Sequence, residues 1–346
     1  MVFFTPRTAW KSVLILPLLL WLLLFGGCAG RGSGPPALLG EQVFQDDLAK
    51  IRAKGGLTVV APASGLDGRD LEAARALAAE LGAVFPPGAI APGLVPYNAN
   101  SDEVRLALLD QALNDSQGRV VWAVRGGYGA GRLLPGLKKP AKSKQKIFVG
   151  YSDLTFLHLF LVRAGWQTVH GAMLKEMNDP AKDRDNFRLL AALLSGRLRE
   201  LNYGGLEAFN QAARDLKQPI RASITGGNLT CLAASVGTPW PLEAAGRILF
   251  MEDVNEPGYK IDRLLTQLQV GGRLKGVTAV ILGEFSGDPK IEYALTRFAQ
   301  SFNGPVFRSD LFGHGRKNYP LVFNAPAVIS PEADQLFHLK ITPSWP

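Results

Sequence analysis

Ser152 stands in the run Ile147-Phe148-Val149-Gly150-Tyr151-Ser152-Asp153-Leu154-Thr155, where strand-like residues give way at once to the apolar spacing of a helix. On such a turn the hydroxyl projects from the rim of a sheet with the Asp153 N–H beside it at a helix N-terminus, which suits a nucleophile. Position 154 is Leu where the full elbow motif has glycine, and a serine directly before a helix also serves as a plain N-cap. On this run alone both readings stand.

A serine nucleophile needs a base, and that base needs an orienting acid. The chain has four histidines. His314, in Phe312-Gly313-His314-Gly315, is held between glycines that permit close approach, and ranks first. His170 ends the short run Thr168-Val169-His170 and ranks second, as a residue lining the pocket. His158 lies among Phe156, Leu157, Leu159 and Phe160 and reads as packed core, whereas His338, between Phe337 and Leu339, reads as solvent-facing. For the acid, Glu252 follows the apolar Leu249-Phe250-Met251 directly, with Asp253 and Glu256 as competitors. The same carboxylates would also complement the dipole of a following helix. Finally, Arg125-Gly126-Gly127-Tyr128-Gly129 exposes backbone N–H groups that suit an oxyanion or carboxylate, although a demanding turn would need the same glycines.

These residues need elements to hold them. Leu57 to Ala61, Arg119 to Val124 and Ile147 to Gly150 are short apolar runs, and helical spacing follows at Leu71 to Leu81, Ser101 to Leu113 and Phe156 to Leu161. The alternation predicts a doubly wound α/β domain on a mainly parallel sheet over 57–200, with its ligand site beyond the carboxyl ends of the strands. Residues 201–218 read as a linker. From Pro219 the runs at 248–251, 279–282, 306–307, 327–329 and 336–341 predict a smaller strand-rich domain over 219–346, interrupted by one helix through Ile261, Leu264, Leu265 and Leu268.

The first residues differ from the rest. Arg7 and Lys11 precede an apolar run from Val13 to Phe25 and then Gly26-Gly27-Cys28, the pattern of a lipoprotein signal peptide over 1–27 with Cys28 as the lipidated residue. Residues 28–56 then read as a tether, and the body as exported, periplasmic and membrane-anchored. The chain has 346 residues, 47% of them hydrophobic and 20% charged, as befits a globular protein with room for two cores. Basic residues are scattered apart from Lys138 to Lys146 despite a net charge of +8, so nucleic acid is not an expected partner. With Cys28 set aside only Cys231 remains, which leaves no disulfide framework and no thiolate metal cluster; neither metal nor cofactor is expected.

Taken together, VVAPAS (59–64), WAVRGGYGAGRLL (122–134), FVGYSDLT (148–155), HG (170–171), GGNLT (226–230), LFMEDVNEPGYKIDRLLTQL (249–268) and FGHG (312–315) resemble the L,D-carboxypeptidase family, serine peptidases that include microcin C self-immunity proteins. The resemblance implies an N-terminal domain like class I glutamine amidotransferases, a site between the two domains, and a homodimer. It assigns Ser152, Glu252 and His314 as the triad, with oxyanion donors at the Asp153 N–H and at Gly126 or Gly127. Arg125, Tyr128, Asn228 and His170 would bind substrate. The implied activity is release of the terminal D-alanine from murein tetrapeptide stems through an acyl-enzyme. Hydrolysis of microcin C-like peptidyl nucleotides and non-catalytic, lipid-anchored muropeptide binding are the alternatives. An amidotransferase would need a cysteine at position 152. Two departures stand out: well-known recycling members act in the cytoplasm whereas this chain begins with an export pattern, and Ala172 stands where proline usually follows HG.

Overall fold

The computed structural model describes residues 40–54, 56–114 and 118–345. The signal-peptide segment and Cys28 lie outside the described residues. The first element is α1 (Glu41–Ala53), followed by β1 (Leu57–Val60), α2 (Gly68–Glu80), α3 (Asp102–Asn114), β2 (Val120–Ala123), β3 (Ile147–Gly150), α4 (Thr155–Arg163), β4 (Thr168–His170) and α5 (Asp185–Leu194). Strands β1 to β4 are parallel neighbours in chain order. Parallel strands are buried on both faces, which explains their unbroken apolar runs. Val59, Trp122, Val149 and Val169 point to the side covered by α1, α2 and α5. Val60, Val121, Ala123 and Phe148 point to the side covered by α3 and α4.

Helix α1 departs from the expected tether. Phe44, Leu48 and Ile51 are buried against the first core, and the fully buried Asp47 pairs with Arg197 at 2.9 Å and accepts from the Ser195 hydroxyl at 2.7 Å. Packing of the chain therefore begins before Leu57, because an apolar stripe and one buried ion pair fasten this helix to the region around α5.

The chain continues through β5 (Leu201–Ala208), α6 (Gln211–Arg214), β6 (Ile220–Asn228), α7 (Leu229–Ala234), β7 (Arg247–Glu256), α8 (Gly258–Val270), β8 (Ala279–Gly287), α9 (Ile291–Ser301) and β9 (Val306–Arg308). It ends with β10 (Leu321–Phe323), β11 (Pro326–Pro331) and β12 (Leu336–Ile341). Seven of these strands close a barrel in the order β11-β12-β5-β9-β8-β7-β6. Strands β6 to β9 run parallel, with α7, α8 and α9 packed over Leu249, Met251, Val280, Leu282 and Val306. Phe250, Ile281, Phe307 and Leu339 belong instead to the cluster that continues into the first sheet.

Three expectations change here. The segment 201–218 is not a bare connection, because β5 pairs with β12 and β9 inside the barrel. The strand-rich half carries α7 and α9 in addition to α8, so β-α alternation persists through it. Strand β10 leaves the barrel altogether and pairs antiparallel with β4, placing Leu321 opposite His170 and Val322 opposite Val169. The described residues thus form a mixed α/β fold in one compact unit: a first sheet with a parallel run, and a second sheet rich in strands.

Candidate active site

Strand β3 stops at Gly150, where a Cβ would collide with Leu154 as the chain turns directly into a helix. Tyr151 is extended, and Ser152 then takes φ +65°, a left-handed conformation that a non-glycine residue adopts at some cost. Such a turn lifts the hydroxyl off the sheet. Gly126 sits against it: a Cβ there would lie 2.9 Å from Ser152 Cβ. Asp153 is buried and accepts from the Ala130 N–H at 2.7 Å, tying the elbow to the glycine-rich loop after β2. Burial raises its carboxyl to about 6.

The barrel is seated on this elbow by the end of β6. Gly226 and Gly227 have φ of +145° and +136°, and a Cβ on Gly227 would strike Thr155. The Asn228 N–H donates to Thr155 Oγ1 at 2.9 Å. Asn228 is the register partner of Glu252 on β7, so the contact carries Glu252 to the elbow with it. Glu252 is fully buried; its Oε2 lies 2.5 Å from His314 Nδ1. His314 Nε2 lies 3.0 Å from Ser152 Oγ.

Two glycines permit that approach. Gly313 has φ +128° and stands against Glu284 and Glu252, while a Cβ on Gly315 would overlap the Glu284 carboxylate. The His314 ring packs on Tyr151 with centroids 4.8 Å apart. Burial disfavours its charged form, but the charge and hydrogen bond of Glu252 outweigh that, so His314 holds its proton above the ordinary imidazole range. The ring can therefore take the serine proton through Nε2 while Nδ1–H donates to Glu252.

The remaining predicted residues lie in different places. Gly127, with φ +100°, and Tyr128 are exposed in the loop beside Ser152, and Tyr128 meets Tyr97 edge-on at 6.3 Å. Arg125 is half-buried and donates to the Gly65 carbonyl at 3.2 Å. Asn228 is occupied by structure: its Oδ1 caps α7 by accepting from Cys231 N–H, and its Nδ2 donates to Asp253 at 2.9 Å. That network also accounts for Asp253, the competitor of Glu252. His170 is fully buried among Tyr151, Phe250 and Phe323, so it packs within the core instead of lining a solvent-open pocket. His158 is core as expected, bonded at 2.8 Å to Thr168 Oγ1 and to the Gly150 carbonyl. Among the described residues no cluster of His, Cys, Asp and Glu could hold a metal ion.

Sequence reading passed over Tyr151, Glu176 and Lys182. The Tyr151 hydroxyl donates to Glu176 Oε1 at 2.5 Å, and Lys182 Nζ donates to the carbonyls of His314 and Gly315 at 2.6 and 2.8 Å. No spacing in the chain announces contacts between residues so far apart.

A strained serine, a histidine and a buried glutamate in one hydrogen-bonded line are the arrangement by which serine hydrolases are recognised. The family profile described as the LD-carboxypeptidase N-terminal domain matches residues 57–171, and that of the LD-carboxypeptidase C-terminal domain matches residues 221–329. A Rickettsia conorii protein that carries a carboxypeptidase name is 39% identical over 79% of this chain and 87% of its own length. The murein tetrapeptide carboxypeptidase of Pseudomonas aeruginosa is 31% identical over 80% of this chain and 93% of its own. Among solved structures, the muramoyltetrapeptide carboxypeptidase of Oxalobacter formigenes superposes with a TM-score of 0.72 at 27% identity, covering 83% of this chain and 99% of that one. The chain belongs to the LD-carboxypeptidase family of serine peptidases.

Proposed function

We propose that this protein is a serine carboxypeptidase that releases the terminal D-alanine from murein tetrapeptide stems, cutting the bond between an L-configured centre and the D-residue. The observation that carries the reading is the line Glu252 Oε2, His314 Nδ1, His314 Nε2, Ser152 Oγ, with separations of 2.5 and 3.0 Å. Relatives named for murein peptides support the substrate class.

In the first step Ser152 Oγ attacks the peptide carbonyl as His314 Nε2 takes its proton. The carbonyl electrons move onto oxygen, where the Asp153 N–H and an N–H of the Gly126-Gly127 loop would receive them. His314 then gives its proton to the leaving D-alanine nitrogen, leaving an ester on Ser152. Water attacks that ester, with His314 again as base, and the stem tripeptide departs. Glu252 holds the ring in the productive tautomer and stabilises its charged form. Arg125 and Tyr128, on the loop beside Ser152, would hold the stem.

The deciding experiment incubates the purified protein with disaccharide tetrapeptide and measures free D-alanine and the tripeptide product by mass. Release that disappears in Ser152→Ala is expected. No release from the wild type, or undiminished release from the variant, sinks the proposal.

We also propose that the chain is exported and lipidated at Cys28, and that it acts as a homodimer. Incorporation of a labelled lipid precursor, lost in Cys28→Ala, tests the anchor; sedimentation of the purified protein tests the dimer.

A further inference from the structure

We infer that the buried ion pair between Lys182 and Glu176 is a positioning device that seats His314 against Ser152 across the boundary between the two sheets, resting on the Ser152–His314–Glu252 reading proposed above. Both residues lie between β4 and α5, on the side of the molecule that carries the nucleophile, with side chains only 14% and 11% exposed. Lys182 Nζ lies 3.3 Å from Glu176 Oε1 and donates to the carbonyls of His314 and Gly315. An ammonium has three donors and no acceptor. Two of them are spent on the backbone of the loop that carries the base, and the charge itself is paired with Glu176.

Glu176 works in the other direction. It receives the Tyr151 hydroxyl at 2.5 Å and the Met173 N–H at 2.9 Å. Tyr151 immediately precedes Ser152. The residue before the nucleophile and the carbonyl of the base thus hang on one pair of charges. Burying two charges carries a desolvation penalty that their attraction must first offset, so such a pair is a weak device for stability alone. The loop has need of an outside anchor, because Gly313 and Gly315 flank His314 and leave its path loosely specified by local preference. Further along, the Asp183 N–H and Asn186 Nδ2 donate to the Arg316 carbonyl at 2.9 and 3.0 Å. Lys182 is the anchor that reaches His314 itself.

The pair also leaves an electrical mark on the ring. The groups that face His314 are Glu252 from β7, Glu284 from β8, Tyr151 from the elbow, His170 from the end of β4, and Glu176 and Lys182. Glu176 favours the charged imidazole and Lys182 disfavours it. Removing one member should therefore move the titration of His314 in the direction opposite to removing the other, which a purely structural tie would not do.

The test uses Lys182→Met, Glu176→Gln and Lys182→Arg in the full chain. Kinetics of D-alanine release are followed against pH, and the His314 ring is titrated by NMR, its signal assigned with His314→Gln. Expected for Lys182→Met are a kcat lower by roughly tenfold or more with KM little changed, since a misplaced base slows chemistry more than binding, and a His314 midpoint moved up. Glu176→Gln should move the midpoint down, and Lys182→Arg should recover much of kcat. An unchanged kcat and His314 midpoint in Lys182→Met, or midpoints that move the same way in both charge-removing variants, overturns the inference. Should Lys182→Met not fold, Glu176→Gln decides it: a fixed His314 midpoint together with wild-type kcat in that variant is the overturning result. The NMR arm needs no turnover, so a wild type that releases no D-alanine refutes the peptidase reading while the midpoints still judge the seating of His314.

Discussion

The elbow that presents Ser152 and the rim that presents Glu252 and His314 reach their geometry by different routes. At the elbow the backbone does the work within five residues, as Gly150 clears Leu154 and Ser152 accepts φ +65°, with Gly126 from the loop after β2 close behind the hydroxyl. At the rim nothing so local operates. Glu252 is placed by the parallel register of β6 and β7, and His314 by its bonds to Glu252 and Lys182. A nucleophile can be aimed by a tight turn, whereas a base must be held by whatever surrounds it.

That contrast can be broken at either end. Ser152→Ala should lower D-alanine release by about 10⁴-fold or more while leaving the melting temperature close to that of the parent, since the elbow's shape is set by its neighbours. Glu252→Gln should cost somewhat less, roughly 10³-fold, by loosening the tautomer and orientation of His314. It should also move the acid limb of the rate profile. His314 must be neutral to accept the serine proton, and Glu252 holds its proton affinity up, so the rate rises as pH climbs through that raised value. Without the carboxylate charge the limb falls at lower pH; a limb that stays put would show that Glu252 does not set it.

Smaller effects probe the seam between the two regions. Gly227→Ala puts a Cβ at φ +136° into Thr155, and should destabilise the fold by about 2–3 kcal/mol, read by denaturant titration, with kcat falling as Glu252 is displaced. Asp153→Asn is the mildest. Burial raises the Asp153 carboxyl from 3.8 to about 6, so the folded state binds its proton more tightly than the unfolded chain. That contribution is fully present below about pH 4 and is lost as pH rises through 6. The amide can still accept from Ala130 N–H, so the difference in melting temperature between wild type and Asp153→Asn should shift in favour of the variant across that window. A constant difference would mean that the carboxyl titrates normally.

Much of the first sheet could be read from the chain because parallel strands buried on both faces leave unbroken apolar runs, as at Val120 to Ala123 and Ile147 to Gly150. Strand β5 could not. Its Leu201-Asn202-Tyr203-Gly204-Gly205 carries two glycines, and it owes its strand character to β12, which lies more than 120 residues away. Helix α9 carries a stripe at Ile291, Ala294, Leu295 and Phe298, yet among short apolar runs such a segment is easily passed over for loop between strands. At the site, Ser152, Glu252 and His314 each stood beside a local cue: a turn, a strand end, a pair of glycines. Asn228 is held by Cys231 and Asp253 and His170 is enclosed by Tyr151 and Phe250, placements that no local pattern announces, and Glu176 with Lys182 had no cue at all.

Strand β10 carries a last consequence. The chain leaves the first sheet after β4, builds most of the barrel, returns to lay β10 along β4, and goes back to finish the barrel with β11 and β12. His314 rides on the return leg. A split of the gene between β4 and β5 would therefore leave the first fragment without the edge strand β10 and the second, its barrel strands all present, carrying that strand with no β4 to pair with, so a recombination event that shuffled the second half would carry off part of the first sheet.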